Sequence, residues 1–205
     1  MPRKSESAEH YFVAQPKSKA KFGLIRTYLR NMDFEFLTSS GVFSKKRVDS
    51  GTRLLIESMV LPGEGYVLDV GCGYGAVGIA AAAFNPRLHI VMVDVNERAV
   101  RLAKQNIKIN SVANAEVRQG HLYEPAEGLT FNCILSNPPV SAGMDIVKAI
   151  ISEAPEHMAS KALFEIVVKS KVGGKRLQML FKEAFGNVAI LARKSGYRVL
   201  IAEKQ

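Results

Sequence analysis

Short apolar runs alternate along this chain with stretches in which apolar residues recur every three or four positions. The runs at 66–70, 89–93, 115–119, 132–136 and 162–168 have strand length, and helical periodicity falls between them near 76–84, 97–109 and 143–154. Helix-length crossovers between short strands imply βαβ units, a parallel sheet covered on both faces, and a ligand site beyond the carboxyl ends of the strands. After the fifth strand, Gly173 and Gly174 precede a helix with Leu177, Leu180, Phe181, Ala184 and Phe185 on one face. Val188–Leu191 and Tyr197–Ala202, separated by Arg193, Lys194, Ser195 and Gly196, predict an antiparallel closing pair. The fold class is therefore α/β: a Rossmann-like, seven-stranded, mostly parallel sheet with helices on both faces and an antiparallel C-terminal strand.

The N-terminal quarter follows another pattern. Residues 1–19 are polar and charged, with Tyr11–Val13 as a short apolar anchor. Phe22–Leu29 and Phe34–Leu37 alternate around Asn31, Met32 and Asp33, which predicts a hairpin. A loop over 38–49 holds Gly41, Phe43 and the basic run Lys45, Lys46, Arg47, and Asp49 or Ser50 is placed to cap a helix over Thr52–Met59. Pro62, Gly63 and Gly65 break that helix before the first sheet strand. We expect a basic extension with a hairpin over 1–48 and one cofactor-binding domain over 49–205.

Composition changes this picture in two respects. With 205 residues, 47% of them hydrophobic, the chain can bury one full core. The net charge is +9, and it is uneven: residues 1–53 hold 11 Lys and Arg against 5 acids, whereas 54–205 hold 17 against 14. A basic segment on a nearly balanced domain suggests a polyanionic partner, nucleic acid first. Cys72 and Cys133 suggest no disulfide framework, and His10, His89, His121 and His157 lie too far apart for a metal set. No signal-like or membrane-length apolar stretch is present, so a cytoplasmic protein with no membrane partner is expected.

The chemistry concentrates at the strand ends. Val67 to Gly78 reads VLDVGCGYGAVG, a strand, a glycine-rich turn and a helix start. Gly71, Gly73 and Gly75 permit positive φ and close approach of a ligand. Asp69, a carboxylate in a buried strand, would repel a pyrophosphate and hold an ammonium group, which favours S-adenosylmethionine over NAD. Asp94 follows twenty-five residues later, where an acid can accept from both ribose hydroxyls of an adenosine or cap the next helix, a task Asn96 can also perform. Gly120, His121 and Leu122 end the third sheet strand in a position to meet an adenine ring.

Strand four ends in Asn137-Pro138-Pro139. A planar, conjugated amine is a poor nucleophile because its lone pair is delocalised. If the Asn137 side-chain oxygen and the Pro138 carbonyl each accept one N–H, the nitrogen can pyramidalise toward a sulfonium methyl without a strong general base. Such a clamp suits a nucleobase amine, a glutamine side-chain amide or adenine N6 alike.

On these pieces the chain resembles the class I S-adenosylmethionine-dependent methyltransferases, and within them the small-domain family that includes ribosomal RNA guanine-N2 methyltransferases. GVFSKKRVDSGTRLL, VLDVGCGYGAVG, VDVNERAVRLAKQN, SNPPVSAG and FGNVAILARKSGYRVL carry the resemblance from Gly41 to Lys204. It implies that Asp69, Gly71, Gly73 and Gly75 hold the methionine end of the cofactor, Asp94 with Asn96 the ribose end, and His121 or the Leu122 backbone the adenine. Phe43, Asp49 and Gly51 would cover the cofactor, Asn137 would also be among the residues that touch it, and Asn137, Pro138 and Pro139 would form the acceptor site. His121 stands where relatives commonly carry an acid, and Val140 where enzymes acting on a flipped base often have an aromatic, so Phe43 or Tyr123 becomes the candidate stacking platform. The implied function is methyl transfer to a nucleobase amine, guanine N2 in ribosomal RNA foremost. The other readings are a glutamine-amide or adenine-N6 methyltransferase and a non-catalytic module in a ribonucleoprotein assembly.

Overall fold

The computed structural model describes Ala14 and residues 19–44, 46–138, 143–171 and 174–205. His10, Tyr11–Val13, Lys45, Pro139, Val140 and Gly173, named above, lie outside the described residues. A hairpin of β1 (Phe22–Leu29) and β2 (Met32–Ser39) comes first, then α1 (Ser50–Ser58). The β/α series follows as β3 (Gly65–Val70), α2 (Ala76–Phe84), β4 (Leu88–Asp94), α3 (Glu97–Ile109), β5 (Ala115–Gln119), β6 (Phe131–Ser136), α4 (Met144–Glu153) and β7 (Met158–Lys169). The chain closes with α5 (Gly174–Phe185), β8 (Ala189–Lys194) and β9 (Tyr197–Glu203).

Seven strands form one sheet in the order β5-β4-β3-β6-β7-β9-β8, with β9 antiparallel to both of its neighbours. The expected fold class is the observed one. From β3 the chain steps outward through β4 to β5, then crosses back to lay β6 on the other side of β3. β3 and β6 stay paired to their carboxyl ends, and the crevice opens beyond those ends, where the connections leave toward opposite faces of the sheet. The register aligns Val70 with Val93 and with Ser136, so the residues after each strand share one rim.

Two apolar layers sandwich the sheet. On one face α1, α2 and α3 pack with the hairpin, whose Ile25, Leu29, Phe34 and Phe36 are buried in the same core. On the other, α4 and α5 pack through Ile150, Ile151, Leu177 and Phe181. The hairpin turn falls at Arg30-Asn31, both with positive φ, one residue earlier than the sequence suggested. Two successive left-handed residues match the twist of paired strands, so β2 starts at Met32 and runs longer than Phe34–Leu37. The outer edge of β2 is closed by side chains instead of a strand. Asn106 exchanges both bonds with the Leu37 backbone and Asn110 both with Glu35, one helical turn apart on α3 and two residues apart on β2. Asn106 also donates to Tyr74 O at 2.8 Å, which ties the glycine turn to the hairpin.

No helix among the described residues is long and apolar enough to cross a membrane, and none of their side chains form a metal-binding group.

Candidate active site

A cavity of about 300 Å³ opens at the reversal, lined from β3, the glycine turn, the ends of β4, β5 and β6, and α4. Asp69, Gly71, Gly73, Asp94, His121, Leu122, Asn137 and Pro138 all reach it, as does Phe43 from the loop after the hairpin. No lysine or arginine lines it among the described residues. Inside a chain of net charge +9, the described walls of this pocket carry two carboxylates and no fixed cation.

The glycine turn is built to accept rather than donate. Gly71 and Gly73 have φ of 73° and 58°, and a Cβ at either would project into open space. The turn amides, however, are already engaged: Gly71 and Cys72 donate to Val93 O, Gly73 to Asp94 Oδ2, and Gly75 to Cys72 O. A phosphate-binding turn needs its amides pointing at the ligand. This one has turned them inward, so a pyrophosphate would meet carboxylates and satisfied donors, whereas a cationic ligand fits. Gly75 itself caps α2 and faces Ile79 and Ala103 instead of lining the cavity.

Asp69 is fully buried, and one of its oxygens accepts from Gly78 N at 2.9 Å. Burial pushes its carboxyl up to about 7, the Gly78 bond opposes the rise, and the neighbouring charge of Asp94 adds to it. Asp94 is also raised by burial, against the pull of the Asn96 and Gly73 amides on its two oxygens. Asn96 takes the cap of α3, accepting from Arg98 N and Ala99 N, and donates to Gly41 O. It is buried and does not line the cavity; its cap role leaves Asp94 available there. Leu122, which lines the cavity, adopts φ 45°, left-handed backbone that a bulky residue rarely takes.

Asn137 is held by a relay. Asp49, the N-cap of α1, accepts from Gly51 N and from the Thr52 hydroxyl, and the Asn137 Nδ2 reaches Thr52 Oγ1 at 2.8 Å and Asp49 Oδ2 at 3.3 Å. A carboxylate only accepts, so both the hydroxyl proton and the amide NH₂ point toward it. The Asn137 oxygen is thereby left as the atom that can accept at the cavity. Asp49 and Gly51 stand behind this wall instead of on it. Gly51 is required there because a Cβ would lie 2.9 Å from the Tyr197 ring.

Of the two candidate stacking platforms, only one faces the cavity. Tyr123 is 2% exposed, stacks on His157 at 4.5 Å and donates to Ile150 O, so it cannot present a face to a base. Phe43 is partly exposed at the cavity mouth and is the aromatic that remains. Thr52, Ile146 and Ile150 also line the cavity and were not picked out from the sequence. Thr52 had a signal, a hydroxyl three residues after a capping acid; the isoleucines read simply as core.

The family described as methyltransferase small domain matches residues 33–201. The chain is 40% identical over 199 residues to an uncharacterised protein of Bacillus subtilis, YbxB, covering 96% of this chain and 99% of that one. It is 29% identical over 186 residues to ribosomal RNA small subunit methyltransferase C of Aeromonas hydrophila, covering 89% of this chain and 53% of that one. The chain thus spans about half the length of that ribosomal RNA enzyme. Among solved structures, a 16S ribosomal RNA guanine-N2 methyltransferase of Thermus thermophilus, in complex with S-adenosylmethionine and guanosine, shares the fold. Its TM-score is 0.79 at 24% identity, over 93% of this chain and 52% of that one.

Proposed function

The chain belongs to the methyltransferase small-domain family and is an S-adenosylmethionine-dependent methyltransferase; from that premise we propose that its acceptor is an exocyclic nucleobase amine, guanine N2 in ribosomal RNA. The observation that carries this reading is the orientation of Asn137. Its NH₂ is committed to Thr52 and Asp49, so its oxygen faces the cavity as an acceptor for a substrate N–H. The Pro138 carbonyl would take the second N–H of the same amine.

When bound, the cofactor supplies a methyl group made electrophilic by its sulfonium. Asp69 and Asp94 would hold the donor's polar ends, the first toward the methionine ammonium and the second toward the ribose hydroxyls. Gly120, His121 and Leu122 would meet the adenine, and Phe43 would cover the cofactor. The clamp at 137–138 draws both amine protons away from the methyl, which concentrates the lone pair along the transfer line. No general base would be needed: the donor's S–C bond would break as the N–C bond formed, leaving a neutral thioether, and the acidified amine proton would then pass to water. The basic extension over 1–48 would face the substrate, with its hairpin buried in the core of the domain that would hold the donor and Phe43 lining the cavity.

The names of the ribosomal RNA relatives and the basic N-terminal segment support RNA over a protein amide. Transfer of tritiated methyl from S-adenosylmethionine to undermodified ribosomal RNA, total tRNA and cell-extract protein tests the proposal. Label in ribosomal RNA, recovered as N2-methylguanosine after digestion, is expected; label confined to protein, or to no acceptor, overturns it.

A further inference from the structure

The loop that covers the cavity has a second side. Val42 and Phe43 face the cavity, while Lys46 and Arg47, a few residues on, line a separate groove of about 470 Å³ against β1. Leu24, Arg26 and Thr27 form its other wall and Arg53 its end, and no carboxylate lines it among the described residues. Arg26 and Arg53 are partly offset by Glu35 and Glu57, but Lys46 and Arg47 form no ion pair among the described residues.

The strand beside the groove is unusual on its outer face. β1 is the open edge of a two-stranded sheet, with β2 on one side and, among the described residues, no strand on the other. Alternation places Phe22, Leu24, Arg26 and Tyr28 on one face, and the three apolar members are 68%, 49% and 57% exposed. The inward face already buries Ile25 and Leu29, so the core does not need these outer side chains. An exposed row of aromatic and aliphatic side chains beside a cationic groove joins the two features that hold single-stranded nucleic acid: π faces for bases and charge for the backbone.

We propose that this groove docks single-stranded RNA, with the sugar–phosphate backbone against Lys46 and Arg47 and the bases over Phe22 and Tyr28; Arg53 is tied to Tyr28 O and the Thr27 hydroxyl and closes the groove instead. The segment held would flank the acceptor base, since one loop walls both groove and cavity. The inference rests on RNA being the substrate and adds where and in what form it is gripped. A duplex, whose bases are stacked on one another, would engage the cations and leave the aromatic row idle.

Fluorescence anisotropy with a labelled single-stranded RNA oligonucleotide and the matched duplex tests this, on the full chain and across a salt series. Lys46→Ala/Arg47→Ala is expected to weaken single-strand binding and to lower the salt slope by about 1.4, roughly 0.7 for each phosphate no longer neutralised. Phe22→Ala/Tyr28→Ala is expected to weaken it about fivefold to a hundredfold per stacked base with little change in slope, and to leave duplex binding unaltered. All four side chains are exposed, and an unchanged affinity for S-adenosylmethionine confirms that each variant is folded. Single-strand binding by both variants equal to the parent overturns the proposal, as does a parent that prefers duplex or binds no RNA. A parent that binds through these residues yet transfers methyl only to protein keeps the groove and sinks the substrate reading instead.

Discussion

If Asp69 holds the donor's cationic end, as proposed, it links donor binding to pH. Its carboxyl sits near 7, held up by burial and by Asp94, so close to half of the free protein carries it protonated at neutrality. A cationic donor needs the ionised form. With a folded value of about 7, the competent fraction is about 9% at pH 6 and about 91% at pH 8, and the apparent Kd scales with its inverse. Affinity for S-adenosylmethionine is therefore expected to tighten about fivefold between pH 6 and 7, with somewhat under half a proton released on binding at pH 7, and then to level off toward pH 8 as the donor's own α-amino group, ordinarily titrating at about 7.7–8.0, loses its charge. Titration calorimetry in two buffers of different ionisation enthalpy reads both quantities. Asp69→Asn should bind weakly with no pH dependence. The ligand-free protein shows the mirror effect: the raised group contributes most to stability below its ordinary value of 3.8, and that contribution is lost as pH rises toward 7. A wild-type Kd that stays flat from pH 6 to 8, with no proton exchanged, would refute the assignment of Asp69 to the donor's cationic end.

Thr52→Val removes the hydroxyl that orients Asn137; kcat should fall about tenfold to a hundredfold with donor affinity unchanged, and Thr52→Ser should restore it. Glu165 is buried in β7 with Oε1 accepting from Val60 N and Oε2 unpartnered, and burial lifts its carboxyl to about 8. Stability should thus decline as pH rises from about 4.5 through 8 by a few kcal/mol at most, and Glu165→Gln should flatten that decline in urea melts taken across the range. Asn106→Ala strips partners from Leu37 N, Leu37 O and Tyr74 O and should cost about 2–4 kcal/mol by urea denaturation; a loss under about 0.5 kcal/mol would show that the tether is idle.

The sheet was legible in the sequence because its strands and helices differ in period and are punctuated by glycine and proline, and helix-length crossovers implied parallel pairing. Asp69, Asp94 and Asn137 were legible because polar residues at the ends of buried runs stand out. The state of the glycine turn was not. Three glycines signal close approach, but only the folded chain shows that Val93 O and Asp94 take up the amides and convert an apparent anion cradle into a site for a cation. Thr52 was hidden for a similar reason: its pairing with Asn137 spans 85 residues and depends on how α1 docks across the sheet. Tyr123 shows the opposite failure, an aromatic near the right strand end whose ring the core absorbs.

We propose that Asn137 acts on the acceptor amine and not on the donor. Single-turnover methyl transfer to undermodified ribosomal RNA, measured for wild type and Asn137→Ala beside calorimetric titration with S-adenosylmethionine, tests it directly. A donor Kd within about twofold of wild type and transfer slowed at least about a hundredfold are expected for the variant. Equal transfer rates, or a variant that no longer binds the donor, would contradict it.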